Sequence, residues 1–155
     1  MPNPVCQSSD YKFTSLDRVA SINKYLGDAS SADWVASGNP VIYQGQSLLL
    51  TMAPDTVGTL LASTHYVWYG KISAKMTTSQ GKGVVTAFIM MSDVKDEIDF
   101  EFVGVDLGDA QSNFYSQGVT NCKSVVRDVE GARIGQDGNM VGKMLFWTLH
   151  PSRMG

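Results

Sequence analysis

The sequence is poor in the residues that build disulfide frameworks and metal sites. Its 155 residues include two cysteines and two histidines. Cys6 and Cys122 lie far apart, without a CxxC spacing or a neighbouring histidine, which argues against a metal site. The two thiols either pair with each other, as in secreted proteins, or have each lost a different partner. The sequence leaves both alternatives open.

Long apolar runs and clusters of basic residues are also missing. No run of about 18 apolar residues exists, so we expect no membrane span. The first residues contain no basic segment followed by an apolar one, so we expect no signal peptide in the chain as it stands. The net charge is −3 and no basic patch stands out, so nucleic acid is not an expected partner. A hydrophobic content of 43% is enough for one domain with a core.

Acidic and apolar residues alternate along residues 96–102. Successive side chains of a strand point to opposite faces, so this segment predicts a strand with one acidic and one apolar face. The acidic face carries Glu97, Asp99 and Glu101. The apolar face, which we expect to pack in the core, carries Ile98, Phe100 and Phe102.

Three acids on one strand face are unfavourable for folding, because like charges repel. The arrangement suits retaining glycoside hydrolysis, which needs a nucleophilic carboxylate and a carboxylic acid about 5–5.5 Å apart. The Cα atoms of Glu97 and Glu101 are expected about 13 Å apart, so their side chains would have to lean inward across Asp99. Asp99 would then tune Glu97 by hydrogen bonding. The alternatives are a solvated acidic face of an edge strand and a calcium site.

The residues on both sides of this segment favour the catalytic interpretation over these alternatives. Together with residues 81–95 and 103–104, it resembles glycoside hydrolase family 16, in particular the fungal Crh-type chitin–glucan transglycosylases of the cell wall. Residues 96–102 are also similar to the plant xyloglucan endotransglycosylases of that family. The resemblance implies a concanavalin-like jelly roll, an all-β sandwich of two antiparallel sheets whose concave face holds sugar. It also implies an extracellular or cell-wall location.

A second polar segment follows at residues 111–118. Gln111, Asn113 and Tyr115 would share one face of a strand that pairs with the acidic strand across a loop of about eight residues. Amides and a phenol both donate and accept hydrogen bonds, which suits hydroxyl-rich ligands, although an ordinary polar strand face has the same pattern. In the family the amides at these positions line the donor sugar subsites. The resemblance therefore implies that Gln111, Asn113 and Tyr115 bind substrate.

Short apolar segments with turns about every 10–15 residues also favour an all-β sandwich. The predicted elements are a strand at 11–13, a short helix within 16–26, a hairpin of 41–43 with 47–52, a strand at 66–76, a doubly buried strand at 84–91, the acidic strand and a strand at 111–118. His65, Tyr66 and Trp68 either form a stacking platform for sugar rings or belong to the core.

The resemblance covers residues 3–119. From Asn121 onward we find no clear alternation, and the segment does not align with the family. We therefore divide the chain into a partial catalytic domain, residues 1–119, and a divergent, unassigned tail, residues 120–155. Sandwiches of this kind commonly have about 200–250 residues, so we expect the chain to be incomplete at both ends, for example through a retained intron or frameshift after Val119.

Two functions remain as hypotheses. The first is a retaining glycosidase or transglycosylase that cleaves O-glycosyl bonds of cell-wall β-glucan or chitin and transfers the sugar to glucan or water. In it Glu97 is the nucleophile, Asp99 its helper and Glu101 the acid and base, and neither a metal nor an organic cofactor is needed. The second is a non-catalytic carbohydrate-binding sandwich or an inactive fragment of the enzyme. Three crowded carboxylates favour the enzyme, because binding alone does not need them.

Overall fold

The computed structural model describes residues 7–67, 71–127 and 146–149. Every regular element in these residues is a β-strand, which confirms the predicted all-β class. The strands are β1 (Val19–Ser21), β2 (Trp34–Ser37), β3 (Pro40–Tyr43), β4 (Ser47–Leu50), β5 (Leu60–Tyr66), β6 (Val85–Ser92), β7 (Glu97–Val103), β8 (Asp109–Ser116), β9 (Val119–Arg127) and β10 (Phe146–Leu149). In this part of the chain no helix is long and apolar enough to cross a membrane.

Eight of the strands form one sheet, in the order β1-β2-β5-β10-β6-β7-β8-β9. Antiparallel pairing joins β2 to β5 and connects β6 through β9. By contrast, β10 runs parallel to both its neighbours, and β1 runs parallel to β2. The other two strands, β3 and β4, form a separate antiparallel hairpin.

The hairpin and the sheet enclose the core. Leu48 of the hairpin and Trp34 and Leu61 of the sheet are fully buried and pack together. Tyr11 meets the Trp34 ring edge-to-face, with 5.0 Å between ring centroids. Phe88 of β6 packs against the same cluster, which shows that the core lies on one face of the large sheet. The two layers are those expected of a jelly-roll sandwich.

Several predicted strands are confirmed. The hairpin of 41–43 with 47–52 corresponds to β3 and β4, residues 84–91 to β6, the acidic segment to β7, and residues 111–118 to β8. The expectation that residues 84–91 are buried on both faces is only partly met, because most side chains of β6 are half-buried.

Three predicted elements are wrong. Tyr11 and Phe13 do not pair as a strand; their rings pack around Trp34 instead. The helix within 16–26 is replaced by turns on either side of β1, and Leu26 is 97% exposed. The strand at 66–76 is not found in the part of this segment that the structure describes, because β5 ends at Tyr66 and residues 71–76 have no strand pairing.

Strands are also present where we expected no alternation. β9 runs from Val119 to Arg127, and β10 lies at Phe146–Leu149. The predicted division of the chain after residue 119 falls at the beginning of β9. It stays a prediction. Cys6 and Trp68 lie outside the described residues, as does the side chain of Cys122.

Candidate active site

The three acids lie on a strand that is paired along both edges. β7 has β6 on one side and β8 on the other, and residues directly opposite each other in such pairs share a face of the sheet. On the β8 side, Glu97 pairs with Tyr115, Asp99 with Asn113 and Glu101 with Gln111. All six predicted site residues are thus on one surface, which we call the acidic face: Glu97, Asp99, Glu101, Gln111, Asn113 and Tyr115.

On its other side the row of acids borders apolar residues. Met91, Ile89 and Ala87 of β6 pair with Glu97, Asp99 and Glu101 in turn. Paired residues have Cβ atoms about 4.5–5.5 Å apart, so each acid has a polar neighbour on β8 and an apolar one on β6. This asymmetry suits a sugar ring, which has hydroxyl edges and an apolar face.

Asp99 is the most enclosed of the three acids. Its side chain is 3% exposed, whereas those of Glu97 and Glu101 are half-buried. The Oδ1 atom of Asp99 accepts a hydrogen bond from the backbone N–H of Asn113 at 2.9 Å. Hydrogen bonds from backbone N–H groups are a usual means of satisfying a buried carboxylate. Asp99 is therefore held by the neighbouring strand.

Asn113 also contacts a second acid. Its side chain is 8% exposed, and its Nδ2 atom donates to Oε2 of Glu101 at 3.2 Å. One residue of β8 thus donates to both Asp99 and Glu101. Gln111, two residues earlier on the same face, is exposed. The two amides predicted to bind sugar therefore have different surroundings.

Glu97 has a pKa above its ordinary value. Burial is the main cause, because it disfavours the charged form, and the negative charges of Asp99 and Glu101 add to the shift. This is the electrostatic effect expected where three carboxylates share a face. Glu97 accordingly loses its proton at higher pH than an isolated glutamate would.

The turn before β7 is tied to the turn after β8. Oδ1 of Asp96 accepts a hydrogen bond from the backbone N–H of Gln117 at 2.9 Å, and Lys95 O accepts one from Gly118 at 2.8 Å. Lys95 and Gln117 both have positive φ angles, 65° and 51°. Because Asp96 precedes Glu97 directly, these bonds fix the backbone beside the first acid. No local pattern predicts these bonds, since they join residues distant in the chain.

The aromatic platform that was one alternative for His65, Tyr66 and Trp68 stays a prediction, because Trp68 lies outside the described residues. His65 and Tyr66 follow each other in β5 and so point to opposite faces. Tyr66 is 48% exposed, and its hydroxyl donates to Oδ1 of Asp93 at 2.8 Å, just beyond the end of β6. This contact raises the pKa of Tyr66. It is a polar pair that sequence reasoning missed, because the two residues are distant in the chain.

A metal site was one alternative for the acidic segment. Among the residues that the structure describes, no group of three or more His, Cys, Asp or Glu side chains is arranged to hold a metal ion.

Comparison with known proteins places the acidic face inside a matched region. The family model for glycosyl hydrolases family 16 matches residues 28–134. Crh-like protein 3 of Botryotinia fuckeliana is 60% identical over 121 residues, which cover 78% of this chain and 27% of that protein. Crh-like protein 2 of Aspergillus fumigatus is 59% identical over 119 residues, covering 76% and 27%.

More distant relatives are similar over the same length. Congo red hypersensitive protein 2 of Saccharomyces cerevisiae is 47% identical over 123 residues, covering 78% of this chain and 26% of that protein. The chain thus spans about a quarter of the length of these curated relatives. No solved structure matches it.

Proposed function

Because the chain belongs to glycosyl hydrolase family 16, we propose that it carries the catalytic strand of a retaining glycosidase or transglycosylase that acts on cell-wall polysaccharide. The observation that supports this most is the row of Glu97, Asp99 and Glu101 on one face of β7. Two carboxylates that differ in environment are what a retaining mechanism needs. A binding module does not need a third carboxylate between them.

In the proposed reaction Glu97 attacks the anomeric carbon of the donor sugar. The bond from that carbon to the leaving oxygen breaks, and Glu101 donates its proton to the oxygen. The donor is then held as an ester of Glu97. In the second step an incoming hydroxyl attacks the same carbon, Glu101 takes its proton, and Glu97 is released as a carboxylate.

Asp99 would act on Glu97 through its charge. Asp99 is nearly inaccessible to solvent and anchored by the backbone of Asn113. Its negative charge is one of the causes of the raised pKa of Glu97. Since only ionised Glu97 can attack, we expect the rate to fall on the acid side of that pKa. Asp99 therefore helps to set the acid limit of the reaction.

The polar side chains of β8 are the proposed contacts to substrate, with Gln111 and Tyr115 the more accessible. The Crh-type resemblance favours chitin as donor and cell-wall β-glucan as acceptor, and an extracellular or cell-wall location. The acceptor is a sugar hydroxyl for transfer and water for hydrolysis. We propose that residues 1–119 belong to the catalytic domain, and we leave residues 120–155 unassigned.

The test incubates this chain with a chitin oligosaccharide donor and a fluorescently labelled β-glucan oligosaccharide acceptor. We expect labelled product to grow in length with the parent chain and not with Glu97→Gln, because an amide cannot form the glycosyl ester. Glu101→Gln is expected to abolish transfer as well, since it cannot donate the proton. Folding of each variant is checked by circular dichroism.

Other outcomes would favour the second hypothesis. If the parent and both variants bind the oligosaccharides equally and none turns them over, the chain is a binding module or an inactive fragment. Full activity in a folded Glu101→Gln variant would rule out Glu101 as the proton donor.

A further inference from the structure

We propose that Asn113 is a positioning residue that holds Glu101 and Asp99 in place, and that it does not itself bind sugar. This inference rests on the proposed function, because it assigns a role within the same site. It departs from the interpretation of Gln111, Asn113 and Tyr115 as three equivalent substrate contacts.

The first argument is accessibility. Asn113 is 8% exposed, and both of its described donor contacts go to acids of the neighbouring strand. The Nδ2 atom carries a second N–H, but so little of Asn113 is exposed that a sugar hydroxyl has little access to it. Gln111 is exposed on the same face of the same strand and meets no such obstacle. Of the two amides, Gln111 is therefore the one that is open to a ligand.

The second argument comes from register. Asn113 lies directly opposite Asp99, so its backbone N–H reaches that carboxylate. Glu101 is the diagonal neighbour, within reach of a side chain but not of the backbone. The Asn113 side chain closes that distance with the bond from Nδ2 to Oε2 of Glu101, 3.2 Å long. One residue thereby fixes the spacing between the middle acid and the third acid.

The third argument concerns the proton. An amide N–H donates and cannot accept, so Oε2 of Glu101 is an acceptor whether Glu101 is protonated or ionised. The proton that Glu101 transfers is therefore confined to its other oxygen, Oε1. Asn113 in this way selects which oxygen faces the leaving group, and it keeps the side chain in one rotamer through both steps.

The kinetic test compares two amide truncations. We expect Asn113→Ala to lower kcat by about 100-fold with KM changed less than about twofold, because a misplaced acid slows chemistry without weakening binding. Gln111→Ala is the matched control and should mainly raise KM. If Asn113→Ala raised KM in the same way and left kcat unchanged, Asn113 would be a sugar ligand and the proposal would be wrong.

A second test needs no turnover, and it observes the Asn113 amide in chains that retain it. In ¹H–¹⁵N spectra, the side-chain amide peaks of Asn113 are identified by their loss in Asn113→Ala. The spectra are recorded at a pH at which Glu101 is ionised. A bond to an ionised carboxylate is stronger than one to a neutral acceptor, so we expect the bonded proton to move upfield in Glu101→Gln. Glu97→Gln is the control, because it makes the same carboxylate-to-amide change on the far side of Asp99 from Glu101. It should leave the peak nearly in place.

The outcomes separate the two proposals. If the parent chain shows no turnover, the proposed function fails for this chain, while the amide spectra still decide the role of Asn113. If the Asn113 peak does not respond to Glu101→Gln, or responds equally to both variants, the positioning role fails even when the enzyme is active.

Discussion

The two ends of the large sheet differ on the face that carries the core. At β2 and β5 this face is sealed by the hairpin, where Trp34 is 1% exposed and Leu48 and Leu61 are not exposed at all. At β7 and β8 the same face leaves Ile98 37% and Phe114 44% exposed. The sealed end is packed for stability, whereas the other end carries the acids on its opposite face. Stability and chemistry are thus concentrated at different ends of one sheet.

The largest effect is expected at the sealed end. Leu61→Ala removes a side chain that packs with Trp34 and Leu48, and such truncations cost about 2–5 kcal/mol of unfolding free energy. Urea denaturation followed by tryptophan fluorescence measures the loss. Ile98→Ala is the control from the other end and should cost clearly less. Equal losses would contradict the contrast between the two ends.

One glycine at the loosely packed end should be an exception to this contrast, because Gly104 is tightly packed where β7 ends. A Cβ atom at Gly104 would lie 2.5 Å from the backbone oxygen of Gly81. Gly104→Ala forces these backbones apart, so we expect it to cost about 1–3 kcal/mol. Gly108→Ala, where a Cβ would meet no atom within 4 Å, is the matched control. If both variants unfold at the same urea concentration, the close approach has no energetic importance.

A smaller effect is expected from the exposed apolar residues. Ile98→Thr keeps a β-branched side chain on β7 and should change the unfolding free energy by less than about 1 kcal/mol. Because it makes an exposed apolar patch more polar, it should also reduce aggregation. Light scattering during storage at high concentration measures this. An unfolding free energy lowered as much as by Leu61→Ala would show that Ile98 is as well packed as the core.

The smallest effect is expected from Glu97→Gln, which should gain stability at neutral pH but not at acid pH. The pKa of Glu97 is raised above 4.5, its ordinary value, so the folded state binds this proton more tightly than the unfolded state. Stability from this proton is complete below the ordinary pKa and is lost as pH rises through the raised one. Glu97→Gln should therefore be as stable as the parent at acid pH and more stable at neutral pH. Thermal melts across this range test it, and a constant difference in Tm would contradict it.

Local patterns predicted the strands that carry their own alternation or turn chemistry. The β3–β4 hairpin, β6, β7 and β8 are examples, and the alternation in β7 also predicted which residues share the acidic face. The spacing of Leu16, Val19, Ile22 and Leu26 fits a helix equally well, but parallel pairing with β2 takes Val19 into β1. In this short segment the pairing with β2 therefore determines the structure, and the helical spacing of the apolar residues does not.

Burial within the site could not be predicted from the sequence. Gln111 and Asn113 occupy equivalent positions of one alternating segment, and only the register with β7 distinguishes them. Asn113 lies opposite the middle acid and becomes enclosed, while Gln111 stays open. The contact of Tyr66 with Asp93 joins two strand ends that are distant in the chain. No pattern within either segment contains that information.

Pairing along both edges has a dynamic consequence for β7. Backbone amides that are bonded to neighbouring strands exchange with solvent deuterium only when those strands separate. Separation of β7 requires the loss of the ladders to both β6 and β8. Because the strand that carries the acids is held along both edges, fluctuations of its backbone should disturb their spacing little.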